Sequence, residues 1–268
     1  MYKSIVLSGG SIKGYSYLGI LRCLEERDML KNIENVVGTS IGSVFGAIIT
    51  MGISYEEIIY IINKKFILDD ISFDNLMERN GFCEGVEIEE MICEIIKLKF
   101  SEDITMKKLF DDTKKNFYIS VTNLNKHCIE YISHKNYPEM KLKDALRMAI
   151  TLPFIFETRK YNGTIFVDGA LMKNISYNEL DPKTTLSLLL TDKSSMKKTN
   201  NIVNIEDFIH NVLMCVKKKM NDVDYQYDNI MIVCEDINIL KLNLTYQQKI
   251  SMIKGGYTTL NQYFKKME

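Results

Sequence analysis

The sequence predicts an α/β protein in which helices pack over a parallel β-sheet. Three observations carry this. Within the first fifty residues two short apolar runs, SIVLS and NVVG, alternate with two helix-period segments, and strand–helix–strand–helix is the order of a parallel unit. Later apolar runs of strand length, TIFVDG, TTLSLLL and NIMIVCE, are again separated by longer stretches. The composition, 46% hydrophobic and 26% charged over 268 residues, supplies a core for one large domain. With three prolines and neither repeat nor linker, a single domain over 1–268 is expected.

Each element has its own signal. SIVLS (4–8) ends in Gly-Gly, which fits a buried strand running into a turn. From Gly14 to Leu30, apolar residues at Tyr17, Leu18, Leu21, Leu24 and Leu30 recur at helical spacing. NVVG is the second buried strand, GTSIG a turn, and Ile41 to Met51 the second helix. Residues 55–115 are helical in pattern and strand-poor: EIIYIINKKF and VEIEEMICEIIKLKF are amphipathic, with loops at LDDISFDN and ERNGFCEG. A helical layer or cap beside the sheet is their expected role. NFYISVTNL (116–124) and CIEYISH (128–134) flank a short polar turn, as in a hairpin. LKDALRMAI is a helix that stops before Pro153, because the residue ahead of a proline avoids helical dihedrals. TIFVDG (164–169) and TTLSLLL (184–190) are strands, VNIEDFIHNVLMCVKKK a helix and NIMIVCE a strand. YQQKISMIKGGYTTLNQYF is a final helix with a Gly-Gly break.

The bulk properties exclude several classes. A net charge of −1 sets up no field for nucleic acid or an anionic membrane. The 29 lysines against 5 arginines read as coding bias rather than as a bidentate anion site. Six scattered cysteines without a CxxC, and no secretory signal before them, predict reduced core residues in a cytoplasm-like compartment. His127, His134 and His210 lack metal-ligand spacing, so no metal is expected. The uncharged run Val36–Tyr55 is long enough to span a bilayer, and Gly38, Gly42 and Gly46 fall four apart as in a membrane helix pair. Nine of its twenty residues are Gly, Ser or Thr, however, and its flanks carry no basic cluster or aromatic belt, so it is read as globular.

Three short motifs carry chemistry. In VVGTSIGSVFGAI (36–48), Ser40 sits between Gly38 and Gly42. It is either a small residue in a packed apolar helix or a nucleophile on a strand-to-helix turn so tight that only glycine fits beside it. The strand before and the helix after favour the second. An α/β-hydrolase would place several strands before its serine and a histidine late in the chain, whereas one strand precedes Ser40 and His210 lies inside an amphipathic helix. A serine–histidine–acid triad therefore fits poorly. SGGSIKG (8–14) follows the first strand and opens a helix, so its backbone N–H groups can converge on an oxyanion or a phosphate. It lacks both the Walker and the dinucleotide-binding spacing. In FVDGA (166–170), Asp168 closes an apolar strand before a glycine, at a loop by the sheet edge; taken alone it reads rather as a common Asp-Gly turn.

Together the three motifs resemble the patatin-like phospholipase family, and the likeness extends over essentially the whole chain. KKLFDDTKKNFYISVTNL is similar to the family's core strand with its preceding helix. DALRMAITLPFIFETRKYNGTIFVDGALMKN is similar to the segment leading through a proline to the catalytic aspartate, and ISMIKGGYTTLNQYF to the closing helix. The resemblance implies a three-layer α/β/α fold with a mostly parallel central sheet. It implies Ser40 as nucleophile and Asp168 as base. Gly9, Gly10 and Ser11 match the oxyanion hole, Lys13 its basic position and Gly14 its close, with Gly38, Gly42 and Gly169 as supporting glycines. Two departures stand out: the loop's third glycine is Ser11, and the aspartate motif is DGA rather than DGG.

The implied activity is a lipid acyl hydrolase that works without metal or cofactor, on a phospholipid or another acyl-ester lipid. Contact with a membrane surface and a protein activator are compatible with it. Lys13 either supports the loop, meets a substrate phosphate, or is a solvated surface lysine. Lys217–Lys219 either touches anionic lipid or is a solvated helix end. The helical region 55–115 and the residues around Phe154 and Phe156 are expected to shape an acyl-chain pocket. An acyltransferase or transacylase on the same dyad, and a non-catalytic lipid- or protein-binding member, are the alternatives.

Overall fold

A computed structural model of the chain describes residues 1–62, 73–192, 208–209, 211–213, 215–216, 224–234 and 244–268. Ten strands are described: β1 (Ser4–Leu7), β2 (Asn35–Thr39), β3 (Gly81–Cys83), β4 (Asn116–Asn123), β5 (Cys128–Ile132), β6 (Phe154–Phe156), β7 (Arg159–Tyr161), β8 (Thr164–Asp168), β9 (Thr185–Asp192) and β10 (Asp228–Cys234). The helices named below are α1 (Tyr15–Glu26), α2 (Ile41–Met51), α3 (Tyr55–Ile62), α4 (Phe73–Arg79), α5 (Val86–Lys97), α6 (Met106–Thr113), α7 (Leu142–Ala149) and α8 (Tyr246–Lys265).

Eight strands form one sheet in the order β10-β9-β1-β2-β4-β8-β7, with β5 also paired to β4. The pairs from β10 through β4 are parallel, which requires the crossover helices found between them. Alternation along the strands sets the two faces. Ile5, Leu7, Val36, Phe117, Ile119, Leu186 and Leu188 join the main core with the buried faces of α1, α2, α7 and α8. Val6, Val37 and Leu189 point the other way and pack with Ile175 and Tyr177. Burial on both faces is why these strands read as continuous apolar runs. The mostly parallel sheet flanked by helices is the architecture anticipated from the pattern. Helix α2 is central: every residue from Gly42 to Met51 is buried, so its lack of charge reflects a globular core. Among the described residues no helix is long and apolar enough to cross a membrane.

The structure differs from the sequence reading in several places. The first helix stops at Glu26, and Asp28 takes a left-handed φ of 55° before a 3-10 turn at Leu30–Asn32. ERNGFCEG, expected as a loop, contains β3, which pairs in parallel with β6 as a separate two-stranded sheet. Three-residue strands are too short to show a period. β7 was also missed; it joins β8 through Asn162 and Gly163, with φ of 47° and 79°, the hairpin geometry that Asn-Gly favours. The final helix has no break. Gly19 of α1 and Gly256 of α8 let the two helices touch, since an added Cβ would lie 1.9 Å from the Ile253 carbonyl oxygen or 2.1 Å from that of Ser16. Cys23, Cys83 and Cys234 are buried, but Cys215 is exposed rather than in the core. His210 and Lys217–Lys219 lie outside the described residues, as does most of VNIEDFIHNVLMCVKKK.

Candidate active site

Ser40 stands between the last residue of β2 and the first of α2, on a turn rather than within a helix. Its φ of 55° and ψ of −130° lie in a region that non-glycine residues rarely occupy, at a cost of about 1–3 kcal/mol. Close packing enforces the strain. A Cβ on Gly38 would come 2.4 Å from Ser43 Cα, and one on Gly42 would come 2.4 Å from the Leu7 carbonyl oxygen. The start of α2 is therefore pressed against the tips of β1 and β2, leaving the Ser40 side chain to project beyond them.

Asp168 reaches this point from the opposite direction. β8 is antiparallel to β4, pairing Asp168 with Val121, whereas β2 is parallel to β4 and pairs Thr39 with Ser120. The carboxylate is almost wholly buried, at 1% exposure. Its Oδ1 accepts a hydrogen bond from Ala170 N–H at 2.8 Å, while Oδ2 has no hydrogen-bond partner. Burial pushes the Asp168 pKa up to about 6; the nearby Ser40 hydroxyl and the Ala170 N–H oppose that rise by favouring the ionised form. The Ser40 hydroxyl is thus close enough to act on the carboxylate without a well-aligned bond to Oδ2, and such contacts often tighten only when substrate binds. The Asp168 backbone is pinned at both ends, its N–H donating to the Thr151 carbonyl at 2.9 Å and its carbonyl accepting from Thr122 Oγ1 at 3.0 Å. Gly169 is required because a Cβ would lie 2.6 Å from the Ser120 carbonyl oxygen.

The glycine-rich loop lies against the serine. A Cβ on Gly9 would be 3.1 Å from Ser40 Cβ, and one on Gly14 would be 2.5 Å from Ile41 Cγ1. The Gly9 N–H is already used, donating to the Asn174 carbonyl at 3.0 Å. The Gly10 N–H has no acceptor among the described residues. Ser11 takes φ of 50°, the left-handed conformation that the third glycine of such a loop adopts without strain. Lys13 is 1% exposed, which overturns its reading as a solvated surface lysine. Two buried groups missed in the sequence hold the loop's root. Tyr17 donates its hydroxyl to the Ser8 carbonyl at 2.8 Å, and Ser8 Oγ accepts from Leu190 N–H at 2.9 Å. No local pattern announces either contact: one folds α1 back onto the end of β1, and the other needs β9 beside β1.

A cavity of about 150 Å³ touches Ser11 and Ser40 and is otherwise walled by apolar side chains, among them Val44, Ile88, Met91, Ile95 and Phe156. α5 and the end of α3 thus contribute to the wall, as the reading of region 55–115 anticipated. Phe154 does not: it is half exposed and lies outside the lining. A strained serine, a buried carboxylate of raised pKa, a backbone N–H without an acceptor among the described residues and an adjoining apolar cavity form an arrangement that can support acyl transfer. Among the described residues no three His, Cys, Asp or Glu side chains come together as metal ligands would.

Comparison with known proteins gives a consistent picture. The profile of the patatin-like phospholipases matches residues 5–181. An uncharacterised protein of Acanthamoeba polyphaga mimivirus is 26% identical, covering 99% of this chain and 94% of its own. A probable lipid hydrolase of Invertebrate iridescent virus 6 is 25% identical, covering 98% of this chain and 86% of its own. Among solved structures, VipD of Legionella pneumophila superposes with a TM-score of 0.68 at 17% identity. That match covers 97% of this chain and 66% of VipD, a likeness of fold.

Proposed function

Because the chain belongs to the patatin-like phospholipase family, we propose that it is a serine acyl hydrolase cleaving fatty-acyl esters of phospholipids through a Ser40–Asp168 dyad. The observation that carries this reading is the meeting of Ser40 and Asp168 beside an apolar cavity. Asp168 takes the proton from the Ser40 hydroxyl as Oγ attacks the ester carbonyl carbon. The tetrahedral oxyanion is held by the Gly10 N–H, with the Ser11 and Ile41 N–H groups beside it at the loop and at the start of α2. Each such donor lowers a barrier of this kind by about 3 kcal/mol. Collapse of the intermediate breaks the ester C–O bond, and the leaving alcohol takes the proton from Asp168. Water then attacks the acyl-enzyme, its proton passing to Asp168 and on to Ser40, and the fatty acid leaves.

The cavity wall supports a fatty-acyl chain as the group bound, since a charged or polar substrate would find no partner there. Apolar side chains are also exposed on α3 and β6, which line the cavity, with Tyr60 at 78% and Phe154 at 50%. This supports peripheral contact with a lipid surface. Fatty-acid release from mixed phospholipid vesicles, compared between the wild type and folded Ser40→Ala, tests the reading. Release is expected from the wild type and not from the variant; equal release from both removes Ser40 from the chemistry.

A further inference from the structure

Arg147 is a buried cation linked to the backbone of the candidate base through Thr151. Its side chain is 2% exposed, on α7, a helix in which only Lys143 and Asp144 escape full burial. Guanidinium groups are seldom enclosed without dedicated partners. Here Nη1 donates to Thr151 Oγ1 at 2.8 Å, and the same hydroxyl donates back to the Arg147 carbonyl at 2.8 Å. Thr151 is thereby clamped just beyond the helix end, and its own carbonyl accepts the Asp168 N–H at 2.9 Å. Two hydrogen bonds therefore lead from the guanidinium to the backbone of the base.

The other arm of the fork points elsewhere. Nη2 donates to the Glu84 carbonyl at 2.7 Å, and the guanidinium lies over the Phe156 ring, 5.4 Å from its centroid. Gly85, with φ of 74°, is the cap of α5, and a Cβ there would come 2.8 Å from Nη2. α5 supplies Ile88, Met91 and Ile95 to the cavity, and Phe156 supplies another part of its wall. A planar fork can grip both targets at once; the single ammonium of lysine cannot. In a chain with only five arginines, keeping one where no surface charge is needed is itself a signal.

We propose that Arg147 is a positioning residue for acyl transfer, holding Asp168 in register through Thr151 and the acyl-pocket helix α5 through Glu84. The inference rests on the reading of Ser40 and Asp168 as the dyad. It predicts that cutting the Thr151 arm impairs the chemical step alone, whereas losing the fork impairs both chemistry and chain binding.

The test uses the full chain with Thr151→Val, Thr151→Ser, Arg147→Lys and Ser40→Ala. Active sites are counted by saturating fluorophosphonate labelling, so that unfolded protein does not enter the rates. kcat and KM are then measured for 4-nitrophenyl butyrate and 4-nitrophenyl decanoate. Thr151→Val is expected to lower kcat per site roughly tenfold, a loss in line with a displaced catalytic group, with KM unchanged for both esters. Thr151→Ser restores kcat, because it keeps the hydroxyl. Arg147→Lys shows a comparable kcat loss and also raises KM for the decanoate more than for the butyrate. A Ser40-dependent enzyme whose kcat per site is indifferent to Thr151→Val and Arg147→Lys overturns the role of Arg147 alone. Hydrolysis or labelling that persists in Ser40→Ala overturns the dyad and this inference with it.

Discussion

Thr39 and Asp168 face consecutive residues of β4, Ser120 and Val121, from the same edge of that strand. β5 occupies the other edge, pairing with Ile119 through Asn123. β2 and β8 therefore run toward each other along one edge of β4 and stop where they meet. The first residue past β2 is Ser40 and the last residue of β8 is Asp168. A serine and a carboxylate from distant parts of the chain are thus delivered into one gap by strand pairing, with the glycine loop at the end of β1 as the third side.

Burial places the Asp168 pKa at about 6 in the folded protein, and only the ionised carboxylate can take the Ser40 proton. kcat/KM should therefore be level above pH 7 and fall about tenfold per unit below an apparent pKa near 6. A profile between pH 4 and 8 checks this. A limb near the ordinary aspartate value of about 3.9 would argue that the base is solvated during turnover.

Stability should respond to the same group with the opposite sign. The folded pKa of about 6 lies above the ordinary aspartate value of 3.8, so folding favours the protonated form. The stabilisation from proton uptake is fully present below pH 3.8 and lost as pH rises through 6. Above that, enclosing the charge costs about 3 kcal/mol. Asp168→Asn should be more stable than the wild type by up to about that amount at pH 8, with the gap closing toward pH 4. Urea unfolding at pH 8, 6 and 4 measures it; a gap independent of pH would contradict the assignment.

Two glycines should separate folding from catalysis. A Cβ on Gly42 meets backbone, the Leu7 carbonyl oxygen at 2.4 Å, which cannot move aside. Gly42→Ala should cost about 3 kcal/mol or more in denaturant melts. A Cβ on Gly10 meets the flexible Leu190 side chain, Cδ1 at 2.6 Å, rather than backbone. Gly10→Ala should fold normally yet lose roughly tenfold or more in kcat, because its N–H shifts with the loop.

Chain-length selectivity should follow the cavity. Ile95 is 1% exposed and contributes to its wall. Ile95→Phe adds volume to a space of about 150 Å³ and should lower kcat/KM for a decanoyl ester at least about fivefold relative to a butyryl ester, a change of about 1 kcal/mol. Equal losses on both esters would place the acyl chain elsewhere.

Much of the site was legible because its signals are local. Gly38, Gly42 and Gly169 mark points where backbone meets backbone, and such constraints leave only one residue type. β1, β2 and α2 were legible for the same reason, as apolar runs bounded by glycine. What escaped depends on pairing between distant segments. Nothing in TIFVDG says that its strand runs against β4, and nothing in GFC or FIF says that the two pair. Asn162-Gly163 was a usable hairpin signal that pointed to β7. The burial of Lys13 and Arg147 was hidden because charge pattern alone places such residues on a surface.

The most direct test of the central claim is the rate of fluorophosphonate labelling of Ser40 in the wild type and in Asp168→Asn, located by peptide mass spectrometry. One phosphonyl group per chain is expected, on Ser40, formed at least about a hundredfold faster in the wild type at pH 8. Labelling at another residue, or at Ser40 with equal rates in both proteins, would contradict it.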